Sequence, residues 1–346
     1  PRIVRSMRGD QQGTRGPARH GAARGPETGG AVTGGLFAGD EPPAAGGEGG
    51  GLLAGLNPAQ REAVTHGDGP LLILAGAGSG KTRVITRRVA WQVAERGVAP
   101  DEVLAITFTN KAAGEMRSRV AELIDARGAW IGTFHAMCAR ILRRDIELLD
   151  GYTRDFTIYD TNDRNGLLKE LVKRAGYDTT RFRPAALGSW ISAEKNRYRR
   201  DEEGEQVEPE GDGLEEELFR RIRRDYEEAM RASNALDFDD LLLKVLELLE
   251  TQPGVRDAYA RRFRHVLVDE YQDTNRVQYL LMRHLAGFHG NLAVCGDPDQ
   301  SIYAWRGADV RNILDFEQDF PGAKVVRLEE NYRSTQTILD LSLIHI

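Results

Sequence analysis

Leu71-Leu72-Ile73-Leu74-Ala75-Gly76-Ala77-Gly78-Ser79-Gly80-Lys81-Thr82 decides the fold class. Five apolar residues run into a glycine-rich turn, and a Lys-Thr pair then opens a stretch with helical period. A short continuous apolar run bounded by glycine reads as a strand buried on both faces. The glycines let the backbone curl until its N–H groups face inward, and the following helix presents its positive end to the same point. The string is the pattern G-x-x-x-x-G-K-[ST] with Ala75 in place of the first glycine. Ala75, Gly76, Ala77, Gly78, Ser79 and Gly80 are therefore expected to cradle a phosphate chain. Lys81 is expected to reach the β- and γ-phosphates of ATP, and Thr82 to place a hydroxyl on Mg²⁺. The bland alternative is a glycine-rich turn that binds nothing. The order strand, loop, Lys-Thr, helix argues against it.

Val103–Phe108, Trp130–Thr133 and Phe156–Tyr159 read as further strands, with helical patterns between them. After a gap the alternation resumes at Phe263–Val268, Leu292–Cys295 and Lys324–Leu328. This alternation predicts an α/β fold with a parallel sheet covered by helices on both faces. Between Asp160 and Ala235 strand signals stop, and the chain is charged, helical in period and broken by an acidic loop, Arg200–Glu217. The simplest division is residues 52–159 and 236–328 as one α/β domain interrupted by an α-helical insertion over 160–235. Residues 1–51 are rich in Gly, Pro, Ala and Arg and lack apolar periodicity. Such a segment buries too little surface to offset its ordering entropy and is expected to be a disordered tail.

Composition narrows the function classes. The 346 residues carry 29% charged and 40% hydrophobic side chains, ordinary for a globular protein, with a formal net charge of −6. Bulk charge therefore does not advertise a nucleic-acid binder, and any such binding must use a local surface. No apolar run is long enough to cross a membrane, and the start of the chain has no apolar signal-peptide core. Two cysteines far apart, Cys138 and Cys295, exclude a disulfide framework and fit a reducing cytoplasm. The seven histidines have no ligand spacing.

Phosphoryl transfer needs a metal-holding carboxylate on a neighbouring strand. Val266-Leu267-Val268-Asp269-Glu270 supplies one. Asp269 at the strand end would hold Mg²⁺, and Glu270 beside it would orient or deprotonate the attacking water. An Asp-Glu pair after an apolar strand is weak alone but strong behind a phosphate loop, so ATP hydrolysis is expected from the residues themselves. Three further strings need a reason: Leu56-Asn57-Pro58-Ala59-Gln60, Gly296–Ala308 (GDPDQSIYAWRGA) and Glu330-Asn331-Tyr332-Arg333-Ser334. Together with Asp269-Glu270-Tyr271-Gln272-Asp273, they closely resemble superfamily 1 DNA helicases of the UvrD/PcrA/Rep group. The resemblance runs from Leu52 to about Leu339 in the family's order and spacing.

The resemblance implies a RecA-like ATPase domain and assigns roles. Gln60 resembles the adenine-recognising glutamine, although by itself it is equally a helix start. Arg83 resembles a residue flanking the base, and Tyr332 the tyrosine that stacks on adenine. Gln300 resembles the γ-phosphate sensor, and Arg333 an arginine that stabilises the transferred phosphoryl. Their bland alternatives are a loop hydrogen bond and a surface ion pair. On the DNA side, Thr109, Asn110 and Lys111 begin a helix after a strand and could hold a phosphate there, with Phe108 stacking on a base. Gly132-Thr133-Phe134-His135 repeats this logic, which makes His135 a candidate. Trp305 resembles the family's base-stacking tryptophan, with Arg306 near phosphate. Each aromatic could instead belong to the core. The basic run Arg197-Tyr198-Arg199-Arg200 is either a phosphate contact or a solvated face.

The implied activity is an ATP-dependent, 3′-to-5′ single-stranded DNA translocase and helicase acting at single-strand/duplex junctions in repair or replication. The main departure is the end. Family members continue into a second RecA-like domain, and here residues 329–346 form only its start, so this chain is expected to bind ATP and DNA but unwind poorly. One alternative is the helicase part of a RecB/AddA-type helicase-nuclease. Another is a nucleotide-dependent regulator without a motor, against which the well-placed Glu270 argues.

Overall fold

The computed structural model describes residues 51–198, 214–303 and 307–334. The expected tail, most of the acidic loop, Arg199, Arg200, Trp305, Arg306 and the last twelve positions lie outside the described residues.

Six parallel strands form the central sheet: β1 (Leu71–Ala75), β2 (Val103–Thr107), β3 (Trp130–Thr133), β6 (His265–Val268), β7 (Leu292–Gly296) and β8 (Lys324–Leu328), in the spatial order β3-β2-β6-β7-β1-β8. Side-chain alternation divides these strands between two cores. Leu71, Ile73, Ala75, Val103, Ala105, Leu267, Ala293, Cys295, Val326 and Leu328 face one layer. That layer contains α1 (Pro58–Thr65), α2 (Lys81–Ala94) and α3 (Asn110–Leu123). Leu72, Leu104, Ile106, Val266, Val268, Leu292 and Val294 face the other. There lie α4 (Phe134–Asp145), α8 (Phe238–Thr251), α9 (Pro253–Arg262) and α10 (Arg276–Ala286). Both faces are covered, which is why the strands read as unbroken apolar runs rather than as alternation.

Between β3 and β6 the chain leaves the sheet. α5 (Thr161–Arg174), α6 (Pro184–Arg197) and α7 (Leu214–Ala232) enclose a separate core of Leu168, Leu171, Leu187, Ile191, Ile222 and Tyr226. The expected strand at Phe156–Tyr159 does not join the central sheet. Only Thr157–Ile158 is extended (β4), and it pairs with β5 (Ala235–Leu236) in a two-stranded parallel ladder where the helices depart and return. Thr157 and Ile158 are exposed, and Phe156 alone is buried, so the stretch has one apolar anchor and no second face to bury. The strand expected from Phe263 starts at His265, because Phe263 ends α9 as its C-cap. Two short turns, α11 (Arg311–Leu314) and α12 (Phe316–Asp319), lead into β8.

Candidate functional site

In open parallel sheets, ligands bind in the crevice outside the carboxyl ends of the strands. The segments directly after β1, β2, β3, β6, β7 and β8 carry Gly76–Gly80, Phe108–Thr109, Phe134–His135 (the first turn of α4), Asp269–Glu270, Asp297–Gln300 and Glu330–Arg333. The described candidate residues therefore gather on one edge.

The phosphate loop turns tightly after β1, with the Ser79 hydroxyl donating to the Gly76 carbonyl at 2.7 Å. Gly78 and Gly80 have φ of +76° and +87°, a region that side chains other than glycine rarely adopt. At Gly78 a Cβ would also sit 2.7 Å from Asn331 Oδ1 and from Arg333 Cβ. That crowding comes from the segment after β8, which lies across the loop. Tyr332 N–H donates to Gly78 O at 2.9 Å, and Asn331 Nδ2 to Ala77 O at 2.8 Å. Arg333 is exposed at this edge, its N–H held by Asn331 Oδ1 at 2.8 Å.

α1 completes the wall. Asn57 and Gln60 form a capping box, and Gln60, 1% exposed, donates through Nε2 to Ser79 O at 3.0 Å. The Gln60 amide thus ties α1 to the phosphate loop. Asn57 Nδ2 donates to the Tyr332 hydroxyl at 2.9 Å, and the half-exposed Tyr332 ring stands beside this loop. The charge of Arg83 is felt at that hydroxyl, so both candidates for the base sit together.

Across the crevice Lys81 Nζ donates to Glu270 Oε2 at 3.0 Å. Gln272 Nε2 donates to the same oxygen at 2.9 Å, while its Oε1 accepts from Asp297 N–H at 3.1 Å. Gln300 Nε2 donates to Asp297 Oδ2, so Gln300 is joined to Glu270 through Asp297 and Gln272. Asp269 is buried at the end of β6, its Oδ1 accepting the Glu270 N–H at 3.0 Å. Burial first, then the neighbouring Glu270, pushes the Asp269 carboxyl up to about 7. Asp273 is raised to about 6 for the same reasons. Buried carboxyls held away from ionisation suit a divalent cation, which would favour their charged form, and Thr82 stands in the first turn of α2 on the same edge.

On the opposite side of the sheet edge, Phe108 stacks on Tyr303 with ring centroids 5.2 Å apart. Thr109 caps α3, its hydroxyl oxygen accepting Ala112 N–H at 3.1 Å, and Asn110 and Lys111 follow, exposed. Lys111 is 3.9 Å from Glu115, a weak surface pair. His135 packs edge-on against Phe238 at 5.7 Å, and burial lowers its pKa despite Asp239 nearby. Phe108, Phe134, His135, Phe238, Arg276 and Arg311 line a cavity of about 1560 Å³ between the sheet edge and the helical insertion. Small-molecule sites run to about 1,000 Å³, so this cleft has room for a polymer segment. Trp305 and Arg306 lie outside the described residues. Sequence reading gave no role to Asn331, Gln272, Tyr303 or Phe238. The first three stand inside quoted strings, so position in those strings was the available signal. Phe238 carried none.

The family model of the UvrD/REP helicase N-terminal domain matches residues 56–321. The ATP-dependent DNA helicase PcrA of Bacillus subtilis (strain 168) is 49% identical over 290 residues, covering 83% of this chain and 39% of PcrA. The ATP-dependent DNA helicase UvrD1 of Mycobacterium tuberculosis (strain ATCC 25618 / H37Rv) is 50% identical over 305 residues, 83% of this chain and 38% of UvrD1. PcrA of Staphylococcus aureus (strain Mu50 / ATCC 700699) is 46% identical over 291 residues. The chain spans about two-fifths of the length of these relatives.

Proposed function

The chain belongs to the UvrD/REP helicase family, and from that premise we propose that it is the N-terminal ATPase portion of a DNA helicase. In this reading it hydrolyses ATP and couples hydrolysis to movement on single-stranded DNA and to strand separation, with 3′-to-5′ polarity, in repair or replication and in the cytoplasm. Residues 52–159 and 236–328 serve as the RecA-like domain, 160–235 as the helical insertion, and 329–346 lead into a second RecA-like domain. Among the described residues no helix is long and apolar enough to cross a membrane.

The observation that carries the reading is the Lys81–Glu270 contact at 3.0 Å, which joins the phosphate loop to the end of β6. Bound ATP offers Lys81 phosphate oxygens in place of Glu270. The released carboxylate, still held by Gln272, then orients a water and accepts its proton. Loop N–H groups from Gly76 to Gly80 cradle the phosphates, and Gln60, Arg83 and Tyr332 surround the base. Thr82 and Asp269 would hold Mg²⁺, whose charge offsets that of the β- and γ-phosphates. Gln300 senses the γ-phosphate through its link to Asp297, and Arg333 stabilises the charge of the transferred group. Phe108, Thr109, Asn110, Lys111, His135, Trp305 and Arg306 are the proposed DNA contacts, with aromatic stacking that grips any base.

Steady-state ATP turnover with and without single-stranded DNA tests this, with Glu270→Gln as the blank. DNA-stimulated turnover that falls by about 10²-fold or more in Glu270→Gln is expected. Turnover indifferent to both DNA and Glu270→Gln overturns it.

A further inference from the structure

Beyond the hydrolytic residues, the segment after β6 runs on into a polar seam that is buried at Thr274 and Asn275 and half-buried at Asn196 and Asp239. The turn Tyr271–Asp273 leads to Thr274, whose carbonyl accepts Asp309 N–H at 3.0 Å and Asn312 Nδ2 at 2.9 Å. Asn275 follows, 7% exposed, with Oδ1 capping α10 by accepting Gln278 N–H at 2.9 Å. Its Nδ2 donates to Asn196 Oδ1 at 2.6 Å. Asn196 belongs to the last turn of α6, in the helical insertion, and its own Nδ2 donates to Asp239 Oδ1 at 2.9 Å and to Ser192 O at 2.8 Å. Gly307 lies against both asparagines, and Ala308 bridges Asn275. Three elements that the function reading treats separately thus meet at one amide: the end of the hydrolytic segment, the loop after β7, and the insertion.

The chemistry of this chain of contacts allows one polarity only. A carboxylate accepts and does not donate, so Asn196 must turn its NH₂ toward Asp239. That leaves Asn196 Oδ1 for Asn275. Asn275 must in turn offer its NH₂, because its oxygen is committed to the cap of α10. Reversing any one amide sets two oxygens against each other at a half-buried site, which disfavours the reversed arrangement. The seam therefore holds α6 against the segment after Glu270 in one arrangement.

We propose that Asn275, Asn196 and Asp239 form a positioning relay that transmits the state of the nucleotide site to the helical insertion, and so to the wall of the aromatic cleft. The inference rests on the reading that the chain binds ATP and single-stranded DNA. Exchange of Glu270 for phosphate at Lys81 shifts the turn Tyr271–Asp273, and the Asn275–Asn196 bond carries that shift to α6. Linkage makes the effect reciprocal, so DNA in the cleft changes nucleotide affinity by the same factor.

The test is equilibrium binding. Fluorescence anisotropy of a labelled oligothymidylate is measured with and without Mg²⁺ and a non-hydrolysable ATP analogue, and the ratio of the two affinities is the readout. The wild-type chain should show a ratio of about fivefold or more, in either direction. Asn275→Asp keeps the cap oxygen but faces Asn196 Oδ1 with a second oxygen. It should bring the ratio to near 1; because Asn275 lines the cleft, the added charge lowers DNA affinity with and without nucleotide alike, and the ratio alone reads the relay. Adding Asp239→Asn moves one carboxylate along the relay at constant net charge and lets Asn196 reverse, so part of the ratio should return. If Asn275→Asp does not fold, Asn196→Ala breaks the same link without a new charge. A full wild-type ratio in these variants overturns the relay, as does a wild-type chain that binds both ligands with no mutual effect. A wild-type chain that binds neither ligand overturns the function reading and the relay with it.

Discussion

Replacing Lys195 by Met should destabilise the protein far more than a lysine near a helix end ordinarily would. Lys195 is 5% exposed, and its Nζ lies 2.8 Å from Asp237 Oδ2 and 2.7 Å from Asp240 Oδ1. Tyr226 donates its hydroxyl to the same Asp237 oxygen at 2.9 Å. Against the desolvation that burial imposes, the ammonium holds Asp237 below the usual carboxylate range, whereas burial pushes Asp240 up to about 6. Met fills the volume of the lysine stem but leaves two buried carboxyls without their cation. Breaking a buried pair from one side costs about 3–5 kcal/mol, and in a domain of this size that lowers the melting temperature by roughly 10 °C. The variant's folded state must keep protons that the wild type gives up. Its deficit is therefore largest near pH 8 and shrinks as the pH falls toward 5.5, where protonation relieves it. Urea unfolding followed by circular dichroism at pH 8 and pH 5.5 measures both effects. A loss under about 1 kcal/mol at pH 8, or a deficit equal at the two pH values, refutes the reasoning. Combining Lys195→Met with Asp237→Asn and Asp240→Asn should recover most of the loss, since Asn keeps the cap of α8 without charge.

Three other outcomes follow from the same geometry. Gly78→Ala places a Cβ against Asn331 and Arg333 at a φ of +76°, so calorimetry should find nucleotide affinity down by about tenfold or more and the melting temperature lower by roughly 2–10 °C. Arg88 is buried, its Nη1 donating to the carbonyls of Ala63, Val64 and His66 at the end of α1, and burial lowers its pKa to about 10, still cationic at neutral pH. Arg88→Met should cost about 2–4 kcal/mol in chemical unfolding, because those carbonyls lose a charged donor, and Arg88→Lys should not restore it. Burial, then the charge of Arg88, depresses His265 to about 4. The unfolded chain binds the proton first, so stability from a neutral His265 is complete above about pH 6.5 and falls away toward pH 4, by up to about 3 kcal/mol. The stability–pH slope in that window should be shallower in His265→Gln, and an unchanged slope would exclude His265 as its source.

The parts of the molecule legible in sequence were those whose signal is local. Leu71–Ala75 and Val103–Thr107 announce themselves because strands buried on both faces must be apolar throughout. The phosphate loop is legible because glycine is required where φ is positive, as at Gly78 and Gly80. Thr157–Ile158 misled because one buried phenylalanine beside a short β-branched pair resembles a core strand, while its actual partner, Ala235–Leu236, lies beyond three helices. Lys195 sits in a polar helical string that suggests solvent. Only the return of the chain 42 residues later brings Asp237 to it. Asn331 reaches Ala77 across 254 residues, and no periodicity encodes such a latch.

The backbone of Glu270 explains how two adjacent carboxylates serve one crevice. Along an extended strand successive side chains point to opposite faces, so Asp269 and Glu270 in regular β geometry would part. Glu270 instead has φ of +53° and ψ of +45°, a left-handed conformation that costs a non-glycine residue of order 1–3 kcal/mol. That turn breaks the alternation, and the charges of both carboxyls are felt at Lys81. The surroundings then separate them. Asp269 stays buried against β2, its N–H donating to Ile106 O at 2.8 Å, whereas Glu270 keeps a side chain 36% exposed between Lys81 and Gln272. A buried carboxyl suits a cation, and a partly open one suits water. The strained residue is thus the one whose conformation brings both carboxyls within reach of Lys81, as the proposed roles require, and the hydrogen bonds from Lys81 and Gln272 help to offset its cost.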